Sequence, residues 1–74
     1  MNQVRMIRDR AGITQAALRR ALGWNQSRLA NYESGLRSPG LSEARRIVSA
    51  LNSLGAKCVL DDAFPPEKRP LTAA

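Results

Sequence analysis

Histidine is absent, cysteine occurs once, and Trp24, Tyr32 and Phe64 are the only aromatic residues in the 74-residue chain. A lone Cys58 excludes an intrachain disulfide, and the missing histidines remove the commonest general base and metal ligand. Ser27 and Ser38 have no triad partner, and Asp61-Asp62 are neighbouring carboxylates without further ligands, a pattern typical of a solvated helix start. An enzyme, a metal site and a bound cofactor are therefore not expected. There is no uninterrupted run of about 18 apolar residues and no basic-then-apolar leader, so the expected setting is the reducing cytoplasm, away from membranes.

Acidic residues are scarce where basic ones are dense. Residues 1–46 contain nine arginines (Arg5, Arg8, Arg10, Arg19, Arg20, Arg28, Arg37, Arg45 and Arg46) against Asp9, Glu33 and Glu43. Beyond residue 46 the charges balance, so the net charge of +6 sits wholly on the first part of the chain. A one-sided basic excess is the footprint of a polyanion partner, because each neutralised phosphate releases condensed counterions. A chain this short buries only about 60% of the surface its unfolded state exposes, so a thin core and self-association are expected.

What is present is regular punctuation. Four segments carry apolar residues at helical spacing, and each is closed by a glycine. The first runs from about Asn2 to Ala11, with Val4, Ile7 and Ala11 inward, and stops at Gly12. Thr14 is a natural N-cap for the second, where Ile13 staples onto Leu18 and where Leu18, Ala21 and Leu22 form the buried stripe up to Gly23. Asn25 caps the third, with Trp24 stapled onto Leu29, Leu29 and Tyr32 inward, and Gly35 at its end. After Pro39-Gly40, Leu41, Ala44, Ile47, Val48, Leu51 and Leu54 trace one apolar face to Gly55. Residues 57–64 fit either a short strand or one helical turn starting near Leu60. The final PPEKRPLTAA lacks periodicity. The expected fold is all-α, a compact four- to five-helix domain over residues 1–64 with a flexible tail at 65–74.

Two short capped helices separated only by Gly23, Trp24 and Asn25 meet the requirement for a helix-turn-helix between Gln15 and Ser34. At about 100° per residue, Gln26, Ser27, Ala30, Asn31 and Ser34 share the face opposite Leu29, Tyr32 and Leu36. That face is amide-rich and almost uncharged. Amides bridge adenine N6 and N7, serine bonds base edges and alanine touches a thymine methyl, so the face is suited to reading bases.

The run ITQAALRRALGWNQSRLANYESGLRSPG resembles the phage repressor and Cro type helix-turn-helix family, also called lambda-repressor-like or XRE. The resemblance covers roughly Val4 to Phe64. It rests on Thr14-Gln15, Leu18, Leu22, Gly23, a hydrophobic residue at Trp24, Leu29, Tyr32 and Glu33-Ser34-Gly35. It implies that Gln26, Ser27 and Asn31 read bases, that Gln15 binds a phosphate and braces Gln26, and that Asn25, Arg28 and Arg37 reach backbone phosphates. It also implies an ion pair between Arg8 and Glu33. The fifth position counted from Gln15 is usually small in this family, and here it is Arg19: either its stem snorkels toward phosphate, which is the expectation adopted, or the two helices open slightly where they cross.

The resulting expectation is a sequence-specific regulator, Cro-like and a repressor, that binds a palindromic double-stranded DNA operator as a homodimer, with no small-molecule effector. Cys58, Val59, Leu60 and Phe64 are apolar and carry none of the basic excess, which makes them candidates for the dimer interface. An antitoxin, or a module holding a protein partner with the same helices, are the alternatives. A protein-binding module calls for an apolar third-helix face, not an amide-rich one.

Overall fold

A computed structural model describes residues 2–65. It contains α1 (Val4–Arg10), α2 (Gln15–Leu22), α3 (Gln26–Ser34), α4 (Leu41–Ser53) and α5 (Leu60–Ala63), with no strand among the described residues. The all-α expectation holds, and the segment left open between strand and turn is a single turn of helix. Residues 66–74, most of the expected tail, lie outside the described residues. No described helix is long and apolar enough to cross a membrane.

The helix ends follow from local chemistry. Thr14 accepts from the Ala17 amide at 3.0 Å, and Asn25 accepts from the Arg28 amide at 2.8 Å. At the end of α2, Gly23 takes φ +71°, a left-handed conformation that costs a residue with a Cβ about 1–2 kcal/mol. The Gly23 amide then donates to Arg20 and the Trp24 amide to Arg19, both at 3.2 Å. The same pair of bonds closes α1, from Gly12 to Asp9 and from Ile13 to Arg8. In both cases the residue after the glycine, Trp24 or Ile13, is driven into the core. The chain is thereby turned inward as each helix ends.

The α1 helix is shorter than the sequence pattern implies. Asn2 lies outside it because its Oδ1 accepts from the Val4 amide at 3.1 Å, and Ala11 is an exposed cap residue. Val4, Leu18, Leu29, Ile47 and Leu51 form the fully buried centre, with α4 packed across α2 and α5. Leu41 and Leu54, expected inward, are exposed, since they flank the ends of α4 beyond the helices it covers. Leu36 and Ala21 are exposed as well.

Beyond α4, the Asn52 side chain donates to the Cys58 carbonyl at 2.8 Å and accepts from the Cys58 amide at 3.1 Å, pinning the loop. Asp62 starts α5 by accepting from the Val59 amide at 2.9 Å. The Gln3 amide donates to the Ala63 carbonyl at 2.8 Å, which joins the two ends of the domain. Cys58 and Ala63 are thus core residues, and burial followed by the nearby Asp62 carboxylate pushes the Cys58 thiol above its ordinary pKa.

Candidate nucleic-acid interface

Only Leu29 of α3 is fully buried, so the helix depends on side chains reaching it from both ends. At the C-terminal end, Glu33 receives a two-pronged contact from Arg8 of α1, Nε to Oε2 and Nη2 to Oε1, both at 3.0 Å. The two side chains are 11% and 5% exposed, which makes this a buried pair. Arg8 Nη1 also donates to the Ile13 carbonyl at 3.1 Å, and the Asn2 side chain donates to the Tyr32 carbonyl. Planar guanidinium and carboxylate forks match in shape, so the contact fixes angle as well as distance.

At the N-terminal end the anchor is aromatic. Trp24 is buried and meets Tyr32 edge-on, with ring centroids 5.5 Å apart. The Arg28 guanidinium lies 4.2 Å from the Trp24 ring centre and 4.0 Å from the Glu43 carboxylate of α4. Arg46 of α4 lies 5.5 Å from the same ring and donates to the Leu22 carbonyl at 2.8 Å, satisfying an acceptor at the end of α2. The residue expected at phosphate, Arg28, therefore rests on an indole and bridges toward α4.

Between these anchors the outward face of α3 is polar. Gln26, Ser27 and Ser34 are exposed, and Ala30 and Asn31 are half-buried. Gln26 Nε2 donates to Gln15 Oε1 at 3.4 Å, and Gln15 Nε2 donates to Glu33 Oε1 at 3.4 Å. Gln15 thus touches both the proposed reading residue and the ion pair. A cleft of about 350 Å³ lies beside it, lined by Arg5, Arg8, Asp9, Gln15, Ala30, Glu33 and Ser34. Asn25 and Arg37 are exposed and Arg19 is half-buried.

The four interface candidates separate. Cys58 faces the chain's own core, Phe64 packs partly against it, Leu60 is half-buried and Val59 is 62% exposed.

Arg46 and Asn2 hold the motif in place and were not singled out by sequence. Arg46 leaves no local signal, because its carbonyl partner is distant in the chain. Asn2, two residues before the amide it caps, has an Asx-turn spacing that marks it as a helix-start residue. The four-residue interval between Trp24 and Arg28 is likewise a helix-neighbour spacing.

Two capped helices at a three-residue turn, one anchored at both ends and presenting a polar face, define a helix-turn-helix protein. The chain matches the family described as helix-turn-helix domain over residues 2–57, and it belongs to that family. Membership places it among DNA-binding domains of the helix-turn-helix class. No curated protein and no solved structure matches it significantly.

Proposed function

We propose that the chain is a sequence-specific transcriptional regulator of the Cro-like, lambda-repressor-like type, which inserts α3 into the major groove of a palindromic operator. The observation that carries this reading is the amide and hydroxyl face of α3, exposed at Gln26, Ser27 and Ser34 and half-buried at Asn31, opposite the buried Leu29. Gln26, Ser27 and Asn31 read base edges. Gln15, Asn25, Arg19, Arg28 and Arg37 meet phosphates and set register. For Arg28 this requires the guanidinium to turn from Trp24 toward the backbone, within reach of its long stem.

Two copies joined through the exposed Val59 and the half-buried Leu60 would set the recognition helices about 34 Å apart, one DNA turn. Repression then follows by occlusion of the promoter. Selection of bound duplexes from a random DNA pool tests the proposal. Enrichment of a two-fold symmetric site is the expected result, and recovery of no preferred sequence would refute sequence-specific regulation.

A further inference from the structure

Four side chains form one directional line from the core to the exposed face of α3. Arg8 donates twice to Glu33, Gln15 Nε2 donates to Glu33 Oε1, and Gln26 Nε2 donates to Gln15 Oε1. Direction matters because an ionised carboxylate only accepts hydrogen bonds, whereas an amide has one accepting and one donating end. Glu33, whose two oxygens already accept from the Arg8 fork, forces Gln15 to turn its nitrogen inward. The Gln15 oxygen then faces Gln26, and Gln26 must answer with its own nitrogen. Reversing either amide would set lone pair against lone pair or N–H against N–H. The Gln26 carbonyl oxygen is left without a hydrogen-bond partner among the described residues and available to a ligand.

We propose that Glu33 is a positioning residue for base recognition: acting through Gln15, it fixes the Gln26 amide so that its oxygen meets the groove and selects bases carrying an exocyclic amine. This rests on the reading of α3 as the base-reading helix. An outward acceptor matches adenine N6 or cytosine N4 and is repelled by guanine O6 and thymine O4. A glutamine free to rotate would satisfy either class by turning over, and discrimination would be lost. A buried ion pair that touches no base thus sets the preference at one operator position.

The test uses duplexes selected by the wild-type chain and then varied base by base. At the position whose preference disappears in Gln26→Ala, wild type should favour amino over keto bases by roughly 5- to 150-fold. Arg8→Met combined with Glu33→Leu removes both charges together and should reduce that ratio below about threefold. Adding Gln15→Glu supplies acceptor atoms only beside Gln26 and should restore the ratio, at lower affinity. A mere packing role for Glu33 predicts no such rescue.

An unchanged ratio in the charge-free background overturns the proposal. Should that background fail to fold by circular dichroism, NMR of the free wild-type protein decides. The Gln15 and Gln26 side-chain amides should exchange more slowly than in a free glutamine, and Gln15→Ala should release Gln26. Free-like signals for both would overturn the proposal. Absence of any selective DNA binding by wild type refutes the underlying function and this proposal with it, whereas selective binding with an unchanged ratio refutes the proposal alone.

Discussion

Neutralising Glu33 while keeping its shape, as Glu33→Gln does, leaves the Arg8 guanidinium only 11% exposed, without the carboxylate that its Nε and Nη2 contact at 3.0 Å and with only the exposed Asp9 carboxylate 3.6 Å from Nη1. Breaking a buried pair from one side costs about 3–5 kcal/mol, because the remaining charge stays desolvated. The same change at an exposed pair such as Arg5–Asp9, whose side chains are 77% and 61% exposed, costs about 0–1 kcal/mol. A domain of this length has a total stability of roughly 4–11 kcal/mol. The substitution therefore removes a large share of it, and a thermal midpoint at least about 12 °C lower is expected. Removing both charges with Arg8→Met and Glu33→Leu should be milder than either single loss, since apolar side chains of similar volume avoid the desolvation penalty. The assay is thermal and urea unfolding followed by far-ultraviolet circular dichroism. A Glu33→Gln protein that melts within a degree or two of wild type would refute the claim that this pair ties α3 to α1.

Gln26→Ala and Asn31→Ala should each weaken the preferred site by about 1–3 kcal/mol in competition binding while random DNA is bound as before; equal losses on both would remove these residues from base reading. Arg37→Ala should weaken every sequence alike and flatten the salt slope by about one unit, and a changed base preference would contradict its phosphate role. Arg28→Ala should make the same change in slope and also open Trp24 to acrylamide quenching, because its guanidinium lies 4.2 Å from the ring centre. Unaltered quenching would show that the stacked position is not occupied in solution. Val59→Asp with Leu60→Asp should leave the helices intact by circular dichroism but lower the sedimenting mass. A variant that sediments as wild type and binds a full palindrome unchanged would place the interface elsewhere.

The parts of the fold readable from sequence are those governed by nearest neighbours along the chain. Thr14, Asn25, Gly23 and Gly35 act within four residues of their own positions, so the limits of α2 and α3 follow from residue type. The Arg8–Glu33 pair, which links residues far apart in sequence, came into view through the family resemblance and not through spacing. The fate of residues 57–64 depends on a side-chain bond from Asn52 to Cys58 and a long-range backbone bond from Gln3 to Ala63, which periodicity cannot express. Leu41 and Leu54 fit the apolar stripe of α4, yet burial also requires a neighbour across from each end of the helix, and none covers them. For the candidate site, the composition of the exposed α3 face was legible. The seat of Arg28 on Trp24, the Arg46 bond to Leu22 and the direction of the Gln26–Gln15–Glu33 line belong to three-dimensional placement alone.

Fluorescence anisotropy of a labelled random-sequence duplex across a salt series measures DNA engagement whatever the operator sequence. On the roles proposed for Arg19, Arg28 and Arg37, three cationic phosphate contacts per copy make log K against log salt fall with a slope of about −2.7 for one copy and about −5.4 for a pair bound side by side. A flat response, or no binding at low salt, would contradict DNA recognition by this domain and leave the α3 face to a protein partner.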